Sequence, residues 1–276
     1  MNPNFIIAGA AKSGTTSLVD ILREHPKIFF PIEYPSAEIH FFDNDDNYEK
    51  GIDYYKHFFK SAKEDQIKGE KTPAYSWLFV PERMKEHLPD VKLIWMFRNP
   101  VNRAYSHWKM YAWNGIEKNS FEDSLLMEEN RLKEHPMWGY KQQGEYINVL
   151  KEYSKYYSKD NMLILIFEDF VLHPEENINR ITDFLGVERL NTIKHSHKLK
   201  AKFPKHIYLQ YIFRKIALNI RPARYRGQIF RFMQSLNEGI NSPKIKPQTK
   251  DSLNNYYKKF NKELEIFLNY EIKEWR

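Results

Sequence analysis

The segment that decides the fold of this chain is Phe5-Ile6-Ile7-Ala8-Gly9-Ala10-Ala11-Lys12-Ser13-Gly14-Thr15-Thr16-Ser17-Leu18. It begins as an apolar strand, passes through a short turn with one lysine, and ends as a helix start rich in hydroxyl groups. Backbone N–H groups at a helix N-terminus lack intrahelical acceptors, and the helix dipole adds partial positive charge there. The segment therefore predicts a P-loop-like site for a phosphate or a similar anion.

The order of residues in this loop differs from that of a Walker A loop. A Walker A loop places Lys-Ser/Thr after its second glycine, so that the hydroxyl can hold Mg²⁺. Here Lys12 and Ser13 precede Gly14, which disfavours a metal-dependent ATPase or kinase. An ordinary strand-to-helix turn with a solvated lysine is the alternative. The candidate anion-binding residues are Lys12, Ser13, Gly14, Thr15, Thr16 and Ser17.

Composition narrows the class of protein. The chain has 276 residues, a net charge of +7 and no cysteine, which excludes disulfides, thiolate metal sites and cysteine nucleophiles. No Pro/Gly/Ser-rich linker divides it, so we expect a single domain over residues 1–276. Neither a signal peptide nor an apolar run long enough to span a membrane is recognisable, so we expect a cytoplasmic protein.

Apolar runs alternate with helical patterns along the chain. The runs 5–9, 67–71, 91–97 and 161–167 predict strands, the last two buried on both faces. This alternation predicts an α/β fold with a central parallel sheet flanked by helices. Residues 27–30 are expected to be a short extended segment, and 38–42 a short strand or an extended loop. Helices are expected at about 14–25, 48–60, 81–87, 100–108, 144–157 and 174–185.

Polar residues follow these strands directly. Lys12, Lys71, Arg98 and Glu168 would gather at one sheet edge, where open α/β sheets bind ligands. The planar guanidinium of Arg98 suits a phosphate, and Ser106, about two helical turns later, could bind the same group. Arg98 paired with a core carboxylate is the alternative. Glu168 is expected to cap the following helix or to pair with a basic residue.

Several motifs together resemble one family. Residues 11–17 resemble the 5′-phosphosulfate loop of sulfotransferases that use 3′-phosphoadenosine 5′-phosphosulfate (PAPS), and 98–106 is similar to their 3′-phosphate motif. Residues 38–43, 69–75 and 253–275 resemble the catalytic-carboxylate segment, the second-lysine loop and the closing helix of the heparan-sulfate or Golgi-type branch. Two features depart from that branch: Ala37 precedes the glutamate, where a basic residue is usual, and the cofactor loop has no disulfide.

The resemblance implies roles for particular residues. Lys12 would stabilise the leaving phosphate, Lys71 would orient the sulfonate or the acceptor, and Glu38 would act as general base. His40, which Asp43 would orient, is the alternative base or a hydrogen-bond partner of the acceptor, and a histidine merely satisfied in the cleft wall is equally compatible. PAPS would be the donor and its 3′,5′-bisphosphate (PAP) the product, with no metal.

Basic residues are concentrated near the C-terminus. Eleven Lys/Arg and no Asp/Glu lie between Lys194 and Ser235, and residues of about 194–245 are expected to form a basic covering subregion. Within it, the run 195–202 could cover the nucleotide, and a solvated surface loop is the alternative. Lys200 is the candidate cofactor-binding residue there. Residues 207–232 interleave aromatic, aliphatic and basic residues, which suits either an inner membrane surface or a helical pair covering the sheet with solvated arginines. No nucleic-acid-reading motif is present.

The sequence thus predicts a sulfotransferase that moves a sulfonate from PAPS to a hydroxyl or amine of a carbohydrate or glycolipid. A Mg²⁺-dependent nucleotide kinase is one alternative. The other is a noncatalytic nucleotide-binding or membrane-associated module, which would keep Lys12 and Arg98 but would not need Glu38.

Overall fold

A computed structural model describes residues 1–31, 37–190, 202–239 and 242–276. Its strands are β1 (Phe5–Gly9), β2 (Ile28–Phe29), β3 (Ile67–Lys71), β4 (Lys92–Phe97), β5 (Met162–Ile166), β6 (Phe203–Pro204) and β7 (Glu238–Gly239). Its α-helices are α1 (Thr15–Leu22), α2 (Asp45–Tyr48), α3 (Ile52–His57), α4 (Val80–His87), α5 (Pro100–Trp113), α6 (Phe121–Leu132), α7 (Tyr146–Tyr153), α8 (Phe167–Leu172), α9 (Pro174–Leu185), α10 (Ile207–Asn219), α11 (Arg226–Leu236) and α12 (Pro247–Leu268).

The chain divides into two compact units. The first comprises Met1–Pro100, Glu145–His197 and Lys259–Arg276, and the second comprises Val101–Gly144 and Lys198–Lys258. Within these ranges only the residues given above are described. A single domain over 1–276 stays a prediction.

The first unit contains a five-stranded parallel sheet in the order β2-β3-β1-β4-β5. Phe5 at the start of β1 lies opposite Gly69 on β3. A Cβ atom at Gly69 would lie 2.2 Å from Cζ of Phe5, so this register requires glycine. The predicted α/β fold with a central parallel sheet is confirmed.

Two hydrophobic clusters cover the two faces of this sheet. Ile6 and Ala8 of β1 belong to one cluster, and Phe5 and Ile7 belong to the other. The same alternation divides β4, whose apolar residues are all buried. Because side chains along a strand point alternately to opposite faces, a continuous apolar run fills both cores.

Some predicted elements need correction. The helix expected at 48–60 is two short helices, α2 and α3, separated by Gly51 with a φ of 78°. The first helix ends at Leu22, not near residue 25. Of the two forms expected for residues 38–42, the structure has the loop and not the short strand, and His40 within it has a φ of 54°. The helix α6 and the antiparallel pair of β6 and β7 were not predicted.

The second unit is mainly helical. Gln210 of α10 and Gln234 of α11 both donate to the carbonyl oxygen of Trp113, at 2.9 Å each. These two buried amides fix the helical pair to the C-terminal end of α5. The helical character predicted for residues 207–232 is therefore confirmed.

Candidate active site

The loop between β1 and α1 has the backbone conformation that its sequence predicts for an anion site. Lys12 and Gly14 have φ values of 68° and 86°, and the N–H of Ser13 donates to the carbonyl oxygen of Ala10 at 3.3 Å. A Cβ atom at Gly14 would lie 2.6 Å from the ring of Phe167, so glycine is required for both its φ and its surroundings. The loop thus turns sharply into the N-terminus of α1.

The polar groups of this loop suit a phosphate or sulfonate. Gly14 occupies the N-cap position of α1 and has no side chain to cap the first-turn N–H groups. Thr15 is buried, Thr16 is exposed and Ser17 is half-buried. Among the described residues, the buried Oγ of Ser13 has no hydrogen-bond partner, which an oxygen of a bound anion would provide.

Arg98 leaves β4 next to this loop. Its Nη1 donates to the carbonyl oxygen of Lys12 at 3.3 Å, and its guanidinium lies 4.9 Å from the ring centroid of Phe167. Tyr146 fixes the backbone by donating its hydroxyl to the carbonyl oxygen of Arg98 at 2.7 Å. The structure therefore brings Arg98 to the anion loop, as expected for residues at the carboxyl ends of neighbouring parallel strands.

Two candidate nucleotide contacts stay predictions. Ser106 is half-buried on α5 and belongs to the second unit. Lys200 lies outside the described residues.

A buried ion pair joins the anion loop to the candidate catalytic carboxylate. Lys71, at the end of β3, has a side chain only 1% exposed, and its Nζ donates to Oε1 of Glu38. The same Nζ donates to Oγ1 of Thr16, at 3.4 Å. The backbone supports this pairing, because the N–H of Lys71 donates to the carbonyl oxygen of Ala37 at 3.0 Å. Lys71 thus contacts both the anion loop and the carboxylate.

His40 completes the cluster around Glu38. Its Nδ1 lies 2.8 Å from Oδ2 of Asp43, and its Nε2 lies 3.3 Å from Oε2 of Glu38. The Asp43 side chain is 4% exposed, whereas that of His40 is 42% exposed. The predicted orientation of His40 by Asp43 is present in the structure.

Charges within this cluster shift the pKa values of its members. Burial opposes charge on Glu38, but the hydrogen bond from His40 and the charge of Lys71 outweigh it and lower the carboxyl pKa below 4.5. Burial also opposes charge on His40, yet its bonds to Asp43 and Glu38 raise the imidazole pKa to about 10. Burial lowers the pKa of Lys71 from 10.5 in spite of its pairing with Glu38. At neutral pH, Glu38 is therefore an anion and His40 a cation.

The backbone that carries Glu38 is held in an uncommon conformation. Ala37 and His40, on either side of it, have φ values of 59° and 54°, in the left-handed region that non-glycine residues seldom occupy. Asn47 secures the loop by donating its Nδ2 to the carbonyl oxygen of His40 at 2.9 Å. Such conformations persist only where the surroundings impose them, and they are common at functional sites.

Sequence reasoning missed the buried acid beneath this loop. Glu70 is fully buried, and it accepts hydrogen bonds from Tyr55 and, at 2.7 Å, from Thr72 Oγ1. Thr72 Oγ1 in turn accepts from the N–H of His40 at 3.5 Å. The signal available in the sequence was a glutamate inside a predicted strand of a parallel sheet, whose two faces are both covered by apolar core.

Glu168 has a different role from either one predicted. It accepts a hydrogen bond from the N–H of Asn99 at 3.0 Å and another from Nε1 of Trp275 at 2.9 Å. The carboxylate therefore joins the residue after Arg98 to the C-terminal end of the first unit.

The chain belongs to the sulfotransferase family, because the family model described as "Sulfotransferase domain" matches residues 2–271. It is 33% identical to heparan sulfate glucosamine 3-O-sulfotransferase 3A1 of Mus musculus over 207 residues, 73% of this chain and 50% of that protein. It is 32% identical to the human 3B1 enzyme over 207 residues, 73% of this chain and 51% of that protein. The chain spans about half the length of these curated relatives. The predicted family resemblance is confirmed.

Solved structures show the same fold. The sulfotransferase from Alicyclobacillus acidocaldarius aligns over 100% of this chain and 99% of its own, with a TM-score of 0.76 and 24% identity. Mouse sulfotransferase SULT7A1 complexed with PAP aligns over 95% of this chain and 84% of its own, with a TM-score of 0.51 and 16% identity.

The buried Glu70 predicts a pH-dependent stability that Glu70→Gln removes. Burial raises its pKa from 4.5 to about 7, against the hydrogen bonds from Tyr55, Tyr75 and Thr72. Between these pH values the folded state binds more protons than the unfolded state, so the free energy of unfolding falls as pH rises from 4.5 to 7, by roughly 3 kcal/mol.

Urea unfolding at pH 5 and pH 6.5 measures this effect, because the raised pKa of His40 adds its own loss of stability only above pH 6.5. The wild-type protein should lose stability between the two pH values, and Glu70→Gln should lose much less. Glu64→Gln, which changes an exposed glutamate of the same unit, is the control and should follow the wild type. An equal loss in Glu70→Gln and the wild type would contradict the assignment.

Proposed function

We propose that this protein transfers a sulfonate group from PAPS to a hydroxyl or amine of a carbohydrate or glycolipid acceptor. One observation carries the proposal: Lys71 contacts both Thr16 of the anion loop and the Glu38 carboxylate. Donor-binding groups and a proton acceptor therefore lie within one cluster of contacts. An anion site without catalysis would not need this carboxylate.

The donor would be held by its two phosphate ends. Lys12 and residues 13–17 would bind the 5′-phosphosulfate through N–H and hydroxyl groups, and the buried Ser13 Oγ supports this fit. Arg98 would bind the 3′-phosphate together with Ser106, and Lys200 would contribute from the basic region. The complex of mouse SULT7A1 with PAP supports a nucleotide of this kind.

PAPS supplies an activated sulfonate, which needs less charge compensation than a phosphoryl group. Lys12 would neutralise the charge that develops on the leaving phosphate, and Lys71 would orient the sulfonate. Positioning and fixed charges supply most of the acceleration in such group transfers. No step assigned to these residues requires a metal ion.

Glu38 is the better candidate for the general base. Its low pKa keeps it ionised and able to accept the proton of the acceptor. His40, with a pKa of about 10, already carries its proton at neutral pH and cannot accept another. We therefore assign His40 a supporting role, in which its Nδ1–H is held by Asp43 and its Nε2–H holds Glu38 in place.

The carbohydrate assignment rests on the two relatives described above, both of which are named as heparan sulfate glucosamine 3-O-sulfotransferases. An acceptor with a hydroxyl or amine on a sugar ring is compatible with Glu38 as base. Attachment of that sugar to a lipid would place the reaction at a membrane.

The helical pair of α10 and α11 supports contact with an anionic membrane surface. Residues 202–237 contain eight Lys/Arg and no Asp/Glu. On α10, the exposed side chains of Tyr208, Ile212 and Ile216 recur every four residues and so lie on one helix face. Apolar side chains flanked by cations suit the interface of anionic lipids. Among the described residues, no helix is long and apolar enough to cross a membrane.

Arg98→Ala should weaken donor binding. Loss of a charge-assisted hydrogen bond costs about 1.5–3 kcal/mol, so calorimetry with 3′,5′-ADP should give a dissociation constant roughly 10–100 times higher. Arg189→Ala removes an exposed arginine of the same unit and should bind like the wild type. Unchanged binding in Arg98→Ala would remove the 3′-phosphate assignment, and preference for Mg²⁺-ATP would favour a kinase.

Glu38→Gln should lower kcat by a factor on the order of 10²–10⁴ while 3′,5′-ADP binding persists. Wild-type activity should fall at acid pH below 4.5, where Glu38 gains a proton. It should also fall near pH 10, where His40 loses its proton. Glu64→Gln is the control. Turnover of Glu38→Gln at the wild-type rate would exclude Glu38 as the base.

Sedimentation with vesicles tests the membrane surface. The protein should bind vesicles of phosphatidylcholine with phosphatidylserine more tightly than vesicles of phosphatidylcholine alone, and binding should weaken as salt rises. The double variant Ile212→Ser and Ile216→Ser should bind less at the same salt concentration. Equal binding to both kinds of vesicle, or none to either, would overturn the proposal.

A further inference from the structure

A second candidate site lies within the second unit. A cavity of about 360 Å³, partly open to solvent, is lined by the turn after α5, the C-terminal end of α6, the turn at residues 136–138 and one face of α10. This volume falls within the roughly 300–1,000 Å³ that is typical of small-molecule sites. Its lining includes Lys118, Arg131, Trp138, Tyr211, Arg214 and Lys215.

The cavity carries an excess of positive charge. Glu117, its acidic lining residue, is fully buried and pairs with Arg131 at 2.6 Å. Burial would raise the pKa of Glu117, but the bond to Arg131 and the backbone bond from Asn119 outweigh it, so the carboxylate stays ionised. Glu117 and Arg131 therefore cancel each other.

Three cations remain in the lining after this cancellation. Within the described ranges, no ion pair to an acidic residue is recorded for Lys118, Arg214 or Lys215. Lys118 and Lys215 are exposed at their side chains, and Arg214 is half-buried. A ligand with negative charge would therefore meet uncompensated cations.

Aromatic side chains alternate with these cations. Nζ of Lys118 and Nζ of Lys215 lie 5.6 and 5.4 Å from the ring centroid of Tyr211. The Arg131 guanidinium lies 4.6 Å from the ring of Trp138. Rings provide flat apolar surfaces for the C–H groups of a sugar, and the adjacent ammonium groups would bind its carboxylate or sulfate.

The wall of the cavity is fixed by a close approach of the backbone. Gly115 has a φ of 64°, and a Cβ atom there would lie 2.6 Å from the carbonyl oxygen of Gln210 and 2.8 Å from Cβ of Arg214. Nη1 of Arg214 donates to the carbonyl oxygen of Asn114 at 3.2 Å. The turn and α10 therefore hold Arg214 in place before any ligand arrives, which lowers the entropy cost of binding.

We propose that this cavity binds a single acidic sugar residue, one that carries a carboxylate or a sulfate. An inorganic anion would bind the cationic side chains but would make no contact with the aromatic rings. A lipid surface would not enter a concave site. The identification of that sugar as part of the acceptor rests on the proposed function. The binding of an acidic sugar to the cavity does not rest on it, because the cavity is lined by other residues than those assigned to the donor or to catalysis.

Calorimetric titration of the full chain tests the proposal with three probes at fixed salt. N-acetylglucosamine 6-sulfate should bind at least tenfold more tightly than N-acetylglucosamine or inorganic sulfate. The double variant Lys118→Ser and Lys215→Ser should lose at least tenfold in affinity for the sulfated sugar. The double variant Lys250→Ser and Lys258→Ser removes the same charge from exposed positions of the same unit, and it should bind like the wild type.

Tyr211→Ala separates the ring from the charge. It should keep weak binding of inorganic sulfate and lose the preference for the sulfated sugar. Equal affinity of the wild type for inorganic sulfate and sulfated sugar would overturn the proposal, as would equal losses in the two lysine double variants.

Failure of this inference can be told apart from failure of the proposed function. If the sulfated sugar does not bind while 3′,5′-ADP does and Glu38→Gln abolishes turnover, the cavity assignment alone is wrong. If the sugar binds but PAPS gives no turnover, the cavity assignment stands without the acceptor role.

Discussion

The ion pair between Lys71 and Glu38 is the interaction on which the candidate site depends. An ammonium group with 1% of its side chain exposed is unfavourable unless an anion lies against it, and removing one partner of such a pair usually costs several kcal/mol. Because the buried ammonium group of Lys71 needs an anion against it, the ion pair fixes the position of Glu38. Glu38 in turn binds His40 through its second carboxylate oxygen. Because Lys71 also contacts Thr16, the anion loop and the carboxylate form one electrostatic unit.

The loop that carries Glu38 is stabilised by a group of hydrogen-bonded polar residues inside the apolar core. Glu70 binds Thr72, and Thr72 contacts the backbone of His40, so a buried acid braces the loop that carries Glu38. The hydroxyl of Tyr75 accepts a hydrogen bond from the N–H of Phe41 at 3.1 Å, which is a second contact that stabilises this loop. A loop with two residues in left-handed conformations needs such support, because its own backbone favours other states.

Features that depend on a local sequence pattern or on its periodicity were predicted correctly from the sequence. Continuous apolar runs marked β4 and β5, and the residues that follow parallel strands were expected to meet, as Arg98 and Lys12 do. The left-handed conformation of His40 and the raised pKa of Glu70 were not predictable, because both depend on contacts between distant segments. Gly51 divided a helical pattern whose period alone gave no sign of a break. The roles assigned to Ser106 and Lys200 remain predictions.

The alternation of faces along β3 places Glu70 and Lys71, consecutive residues, on opposite sides of the sheet. One strand thus presents a protonatable acid to an aromatic core and a cation to the anion loop. A shift of β3 by one residue would exchange the two environments, with the glutamate facing the anion loop and the lysine facing the core. An insertion or deletion before β3 must therefore change the length of the preceding loop and leave the register of the strand unchanged. We expect β3 to tolerate substitutions far more readily than changes in its length.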